Sequence, residues 1–209
     1  MRLFPPLYAI LDPSLTPEPV VSFAEKLAAA GVHLMQLRDK RGSSRKVCAD
    51  SRELLARVGR GGVRIIVNDR PDVAAITAAG GVHLGQDDLP VEAARRICGR
   101  SLWVGVSTHN LEQLRAADAT SADYIAVGPV FPTSTKENPD PVVGMDFLRA
   151  ARGRTRKPLV AIGGITVESA GEVFRAGADS VAVIRDLVAA PDPAARAAEY
   201  LAIARSLRC

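Results

Sequence analysis

The sequence has few aromatic residues, few cysteines and no long hydrophobic run. Aromatic side chains make up only 4% of its 209 residues, which argues against the stacking surfaces that hold single-stranded nucleic acid. The cysteines, Cys48, Cys98 and Cys209, form no C-x-x-C pair, so neither a zinc site nor a disulfide framework is expected. A membrane span would need about 18 consecutive apolar residues, and none is present.

The overall composition is that of a folded globular chain, with 47% hydrophobic and 24% charged residues. The net charge of +4 suits an anionic ligand, but it is too small and too dispersed to indicate nucleic acid. We therefore expect a cytoplasmic protein that acts on small molecules, with no nucleic-acid partner and no membrane contact. The sequence leaves the oligomeric state open and is compatible with a homo-oligomer.

Short apolar segments of strand length alternate along the chain with segments of helical periodicity. The predicted strands are Leu7–Leu11, His33–Arg38, Arg64–Asp69, Gly81–Gly85, Trp103–Thr108, Tyr124–Val130, Pro158–Gly164 and Ser180–Arg185. The predicted helices are Pro17–Ala30, Ser44–Val58, Pro71–Ala79, Val91–Cys98, Leu111–Ala119, Met145–Arg152, Val167–Ala176 and Pro193–Ser206. This alternation predicts a parallel sheet, and eight units favour a closed (β/α)8 TIM barrel over an open doubly wound sheet. No linker divides the chain, so one domain over residues 1–209 is predicted.

Polar and glycine residues follow the predicted strands, where the carboxyl ends of barrel strands form the active-site mouth. These residues are Gln36, Arg38, Lys40, Asn68, Asp69, Asp87, Asp88, Ser107, His109, Thr133, Ser134, Thr135, Lys136, Gly163, Gly164 and Arg185. Strand alternation places Gln36, Arg38 and Lys40 on one side of the sheet. Their concentration at one face is hard to explain by stability alone.

Positive and negative residues in this set predict different parts of a site. Arg38, Lys40 and Lys136 supply positive charge for a phosphate-rich ligand. Asp69 and Asp88 are oxygen ligands of the kind that hold Mg²⁺ together with substrate phosphates. Asp69 is equally explained as the N-cap of the next helix, and only one of the adjacent Asp87 and Asp88 is expected to face the metal.

Two glycines and two histidines complete the set of candidate residues. Gly163 and Gly164, ahead of a helix that begins near Thr166, offer backbone N–H groups to a phosphate, although a tight turn alone would also need glycine. His83 precedes its strand's carboxyl end, so a structural role is predicted for it. His109 lies at the mouth, but helix capping by its neighbours explains the surrounding residues as well.

Six motifs, taken in order, resemble those of the thiamine-phosphate synthase family. They are Gln36–Lys40, Asn68–Arg70, Gly81–Asp88, Gly105–His109, Gly128–Lys136 and Ala161–Ile165. The resemblance implies a transferase that joins hydroxymethylpyrimidine diphosphate to a thiazole phosphate, giving thiamine phosphate and diphosphate. It also implies that the diphosphate departs with the help of Mg²⁺ and that the thiazole nitrogen then attacks the pyrimidine-derived cation.

The resemblance assigns roles to individual residues. Arg38, Lys40 and Lys136 are the implied catalytic residues, and Asp69 and Asp88 the implied ligands of Mg²⁺. The residues implied to bind the pyrimidine diphosphate are Gln36, Arg38, Lys40, Asn68, Ser107 and Lys136. Those implied to bind the thiazole phosphate are Thr133, Ser134, Thr135, Gly164, Ile184 and Arg185. The family usually has serine where Arg185 stands, and the bulkier arginine could crowd the thiazole.

Three alternatives differ from this interpretation. Thiazole tautomerases of the same superfamily typically carry a catalytic histidine where this chain has Pro129, and proline cannot transfer a proton. A non-catalytic sensor of a thiamine precursor would need phosphate binding but no metal-binding carboxylates. An aldolase would need a lysine within a strand, and no predicted strand interior contains one. The preferred thiazole form and any contribution of Asp87 to metal binding stay open.

Overall fold

A computed structural model describes residues 4–133 and 140–207 of the chain. Its strands are β1 Leu7–Leu11, β2 Leu34–Leu37, β3 Arg64–Asn68, β4 Gly81–Leu84, β5 Trp103–Thr108, β6 Tyr124–Val127, β7 Leu159–Ile162 and β8 Ser180–Val183. Each strand pairs in parallel with the next, and β8 pairs with β1 to close the barrel. The predicted fold class, a (β/α)8 barrel, is confirmed.

The α-helices alternate with the strands. They are α1 Val20–Ala29, α2 Ser44–Arg57, α3 Pro71–Thr77, α4 Val91–Cys98, α5 Leu111–Asp118, α6 Gly144–Arg152, α7 Val167–Arg175, α8 Arg185–Val188 and α9 Pro193–Leu207. A short 3₁₀ turn, Gly59–Gly61, precedes β3. Within residues 4–133 and 140–207, no helix combines the length and apolar character needed to cross a bilayer.

Side chains of each strand alternate between two layers, as strand geometry requires. In β1, Leu7, Ala9 and Leu11 pack outward against the helices, whereas Tyr8 and Ile10 point into the barrel. Most strand residues are therefore buried on both faces of the sheet, which explains why aliphatic residues predominate in the strands.

The amino-terminal end of the barrel is closed by aromatic residues. Phe4 stacks on Trp103 with ring centroids 5.2 Å apart, and it also contacts Tyr124 at 5.4 Å. The guanidinium of Arg64 lies 4.0 Å from the Trp103 ring centroid, a cation–π contact. The barrel interior thus opens at its carboxyl end.

Two arginine–aspartate clamps hold the amino-terminal ends of neighbouring strands. Arg95 donates to Asp123, which also accepts the backbone N–H of Val104 at the start of β5. Arg152 and Asp179 repeat this arrangement two βα units later, at the start of β7 and β8. The clamps lie at the end of the barrel opposite the polar residues of the mouth.

Several element boundaries differ from those predicted. Helix α1 begins at Val20, after Pro17 and Pro19, because a proline ring is tolerated only before or in the first turn. Strand β8 ends at Val183, and Arg185, predicted at its end, instead begins the short helix α8. A helix of one turn has no periodicity that a sequence pattern can reveal, so it was missed.

Candidate active site

One cavity of about 450 Å³ opens at the carboxyl ends of the strands. The predicted site residues that line it are Gln36, Arg38, Asn68, Ser107, Thr133, Gly164, Ile184 and Arg185. The predicted residues Ser134, Thr135 and Lys136 lie outside the described residues. A cavity of this size accommodates small-molecule substrates.

Arg38 is held at the cavity wall by an aspartate that sequence reasoning missed. Its Nη1 lies 2.6 Å from Oδ2 of Asp12, a side chain whose residue is only 5% exposed. The other carboxylate oxygen of Asp12 accepts from the backbone N–H and the hydroxyl of Ser14. Asp12 directly follows β1, so its position at a strand end was the available signal.

A buried chain of hydrogen bonds crosses the base of the cavity. Gln36 Nε2 donates to the hydroxyl of Tyr8 at 2.8 Å, and the hydroxyls of Tyr8 and Tyr124 lie 2.9 Å apart. The Tyr124 hydroxyl lies 3.0 Å from His83 Nδ1, and His83 Nε2 lies 2.9 Å from Ser107 Oγ. Burial raises the pKa of both tyrosines above the ordinary value, which keeps their hydroxyls protonated.

The structure places His83 in the lining of the cavity, although a structural role was predicted for it. The residue is only 7% exposed, and both of its ring nitrogens have partners. Val82 and Leu84 pack outward, so alternation alone directs His83 inward. The same alternation correctly predicted an inward Gln36, between Met35 and Leu37.

A second group of predicted residues, Lys40, Asp69 and Asp88, does not line the cavity, although Asp69 directly follows the lining residue Asn68. Lys40 Nζ is 2.5 Å from Oδ2 of Asp69. The side chain of Asp88 lies beside that of Asp69, and Oδ2 of Asp88 accepts the backbone N–H of Gly85 at 2.6 Å. Burial, followed by the hydrogen bond to Asp69, raises the pKa of Asp88.

The geometry distinguishes the surroundings of these acids. Asp87 is exposed, whereas Asp88 faces Asp69. Asp69 has a φ of 63° and follows β3, and the N-cap of α3 is Arg70, which makes no side-chain capping bond. The alternative of Asp69 as a helix cap is therefore wrong. An aspartate in the left-handed region is uncommon and costs backbone free energy.

No group of three or more histidine, cysteine, aspartate or glutamate side chains arranged to hold a metal occurs among the described residues. The pair Asp69 and Asp88 matches the number of carboxylates that Mg²⁺ commonly takes when substrate phosphates complete its shell.

Gly163 and Gly164 form the opposite wall of the cavity. Both have positive φ, 98° and 63°, and a methyl group on Gly164 would overlap the carbonyl oxygen of Pro132. Thr166 caps α7, as predicted, but the first amide of that helix, on Val167, donates to Asp186 at 3.2 Å. The Val167 amide is therefore occupied, while the predicted phosphate contact through Gly163 and Gly164 stays a prediction.

His109 contacts two residues at the carboxyl end of the barrel, Gly128 and Asp140. Its Nδ1 lies 2.6 Å from the carbonyl oxygen of Gly128, and its Nε2 lies 3.5 Å from Oδ2 of Asp140. Asn110, not His109, caps α5. His109 and Asp140 both line the cavity.

Together the fold and the cavity define a (β/α)8 barrel enzyme whose mouth collects basic, acidic and glycine residues. Residues 7–187 match the thiamine monophosphate synthase family, and the chain belongs to that family. The family and the transferase class predicted from the six motifs are thereby confirmed.

Individual relatives match the chain over nearly its full length. A thiamine-phosphate synthase from Koribacter versatilis (strain Ellin345) is 52% identical over 207 residues, covering 97% of each chain. One from Methanospirillum hungatei JF-1 is 42% identical over 195 residues, covering 93% of this chain and 95% of the relative. The solved structure of thiamine phosphate pyrophosphorylase from Pyrococcus furiosus superposes with a TM-score of 0.88 at 33% identity, covering 97% of this chain and 96% of that one.

Proposed function

We propose that this chain joins 4-amino-2-methyl-5-hydroxymethylpyrimidine diphosphate to 4-methyl-5-(2-phosphoethyl)thiazole, or to its carboxylated form, giving thiamine phosphate and diphosphate. The observation that carries the proposal is the convergence of Gln36, Arg38, Ser107 and Gly164 on one cavity. These residues come from three different strand ends, those of β2, β5 and β7, and family membership supplies the reaction class.

In the proposed reaction the bond between the pyrimidine methylene carbon and the diphosphate oxygen breaks first, and the electron pair leaves with the oxygen. The lone pair of the thiazole nitrogen then forms the new carbon–nitrogen bond, so no general base is needed. Arg38 and Lys40 stabilise the departing diphosphate by charge. Asp12 keeps the Arg38 guanidinium aimed at the cavity, because their ion pair is nearly buried.

Asp69 and Asp88 suit a magnesium ion, since they bring two neighbouring carboxyl groups together beside the cavity. When bound, Mg²⁺ supplies positive charge for the departing diphosphate. Among the described residues, Lys40 supplies positive charge to this pair through its ion pair with Asp69.

The thiazole phosphate is proposed to bind on the wall formed by Gly164, Ile184 and Arg185, together with Thr133. Arg185 is exposed at the start of α8, so its long side chain has room to turn away from the thiazole ring. Binding the two rings side by side supplies the remaining rate enhancement through proximity.

The proposed cellular setting follows the sequence prediction. The thiols of Cys48 and Cys98 are free, which supports a cytoplasmic location. We retain residues 1–209 as one proposed barrel domain.

The direct test incubates the purified chain with both substrates and Mg²⁺ and measures thiamine phosphate by liquid chromatography, with EDTA as the control. Metal-dependent product is expected. The matched pair Asp88→Asn and Asp87→Asn sharpens the test, because the two carboxylates are adjacent but only Asp88 contacts Asp69. We expect Asp88→Asn to lose about a hundredfold of the rate and Asp87→Asn to stay within about twofold, in keeping with an exposed position.

The same experiment separates the alternatives. A sensor would bind either substrate in calorimetry without turnover, and a tautomerase would isomerise a thiazole precursor without using the pyrimidine diphosphate. No product from a folded, substrate-binding chain would contradict the proposed synthase reaction.

A further inference from the structure

Tyr124 joins two predicted substrate-binding residues without lining the cavity itself. Gln36, Tyr8, His83 and Ser107 line the cavity, and Tyr124 lies behind them, completely buried. Its ring stacks on His83 with centroids 5.6 Å apart and meets Tyr8 edge-on at 5.9 Å. Its hydroxyl is the only link in the described hydrogen bonds that connects the Gln36–Tyr8 pair to the His83–Ser107 pair.

The hydrogen bonds in this chain can run in one consistent direction from Gln36. An amide nitrogen can only donate, so the Tyr8 oxygen accepts from Gln36, and in this direction the Tyr8 proton goes to the Tyr124 oxygen. The Tyr124 proton then goes to His83 Nδ1, which leaves the ring proton on Nε2 to donate to Ser107 Oγ. In the opposite direction the Tyr124 hydroxyl donates to the Tyr8 oxygen, His83 donates from Nδ1, and the Ser107 hydroxyl donates to His83 Nε2. The tautomer of His83 therefore distinguishes the two directions.

We propose that Tyr124 is a positioning residue that fixes this direction, so that the cavity meets a hydrogen-bond acceptor at Gln36 Oε1 and a donor at the Ser107 hydroxyl. This inference rests on the proposed function, because an acceptor and a donor together suit the amino group and a ring nitrogen of the aminopyrimidine. A ring that lacks the amino group would leave the buried Gln36 oxygen unpaired, and such mismatches are rejected strongly.

The direction of the chain is testable without substrate. The sequence has only 3 histidines, so ¹⁵N-histidine labelling and long-range ¹H–¹⁵N spectra can report each tautomer. His33→Asn and His109→Asn variants identify the His83 signals by elimination. We expect neutral His83 to carry its proton on Nε2. A proton on Nδ1 would overturn the proposed direction.

The positioning role is tested by Tyr124→Phe, which removes the hydroxyl and keeps the ring between Phe4, His83 and Tyr8. We expect kcat/KM for the pyrimidine diphosphate to fall about tenfold, mostly through KM, because the variant leaves buried polar partners unpaired. KM for the thiazole phosphate should be unchanged. Tyr8→Phe should act in the same way, and the double variant should lose little more than either single variant, since both interrupt one chain.

Thr77→Val is the matched control. The Thr77 hydroxyl is also buried and also donates one hydrogen bond, to the Val73 carbonyl within α3. Its kinetics should match those of the parent chain. Equal changes in both KM values, or additive losses in the double variant, would overturn the positioning role.

Failure of the proposed synthase reaction can be distinguished from failure of the positioning role of Tyr124. If the parent chain forms no thiamine phosphate, the synthase proposal fails on its own, while the His83 tautomer still decides the direction of the chain. Calorimetric binding of the pyrimidine diphosphate to the parent and Tyr124→Phe chains then replaces KM. Equal affinities would contradict the positioning role.

Discussion

Lys40 Nζ lies 2.5 Å from Oδ2 of Asp69, so a cation proposed to bind diphosphate is paired with a carboxylate proposed to bind magnesium. The pair is about half exposed on the lysine side and adds little to fold stability. Its significance is competition, since the ammonium group occupies the carboxylate that a metal ion would use.

We therefore predict that Lys40→Gln binds divalent cations more tightly without substrate, by about threefold, the size expected for removal of a half-exposed ion pair. The same variant should turn over about a hundredfold more slowly, because the diphosphate loses a charged partner. Titration with Mn²⁺ followed by water relaxation measures the first effect and product formation the second. Lys46→Gln, which breaks the exposed pair with Asp50 on α2, should change neither. Weaker metal binding in Lys40→Gln would contradict the competition.

A second prediction concerns stability and pH. Asp88 ionises near 3.8 in an unfolded chain, and its pKa is raised in the folded chain, chiefly by burial. Between those two values the folded state binds more protons, so the free energy of unfolding contributed by Asp88 falls as pH rises. In EDTA at pH 7, Asp88→Asn should therefore melt at a higher temperature than the parent chain, and the difference should disappear near pH 3.

Thermal melts across that pH range check this prediction, with Asp87→Asn as the control for the loss of one exposed carboxylate. A lower melting temperature for Asp88→Asn at pH 7 would show that the hydrogen bond to Gly85 outweighs the cost of burial.

The third prediction concerns the contribution of the arginine–aspartate clamps to stability. Asp179 Oδ2 accepts from Arg152 Nη1 and from the backbone N–H of Leu159, each at 2.8 Å. Asp179→Ala should lower the free energy of unfolding by about 2 kcal/mol, because it leaves a guanidinium and a strand N–H without that acceptor.

Asp146→Ala is its counterpart. Asp146 binds Arg149 at the same 2.8 Å, but its side chain is fully exposed. No measurable change is expected for this variant in urea unfolding. Equal losses in the two variants would mean that the backbone contact of Asp179 contributes nothing.

The fourth prediction concerns the proposed thiazole wall. Gly164→Ala places a methyl group against Pro132 and Phe131 and also strains a φ of 63°. We expect at least a tenfold rise in KM for the thiazole phosphate and a smaller change for the pyrimidine diphosphate, because displacement of 1 Å or so is enough to spoil alignment. Gly171→Ala, in α7 with no atom closer than 3.6 Å to the new carbon, should retain both values and gain stability.

Much of the site followed from local sequence. Gln36 was predicted to lie on the side of the sheet opposite Met35 and Leu37, and a helix was predicted to begin near Thr166. Both inferences depend only on residues within one element and its cap, where alternation and capping preferences act.

Other features of the site depend on contacts between side chains that are distant in sequence, which no local pattern reveals. Tyr8 and Tyr124 share a hydrogen bond across 116 positions of sequence, and Arg38 finds Asp12 across 26. The left-handed backbone of Asp69 and the single turn of α8 also lacked a signal, because one residue or one turn has no periodicity. The side-chain pairs form only when the strands assemble into the barrel. The number of strands predicts the barrel but not which side chains meet.

The two clamps and the stacked aromatic pair separate the tasks of the two barrel ends. Phe4, Trp103, Asp123 and Asp179 hold the amino-terminal ends of the strands together. The predicted site residues, including the left-handed Asp69 and Gly164, lie at the carboxyl ends. Insertions and substitutions in the loops at the carboxyl ends of the strands therefore leave the contacts at the amino-terminal ends intact. A barrel of this kind can evolve to bind a new substrate through changes in the loops at the carboxyl ends of its strands, while the contacts at the amino-terminal ends stay the same.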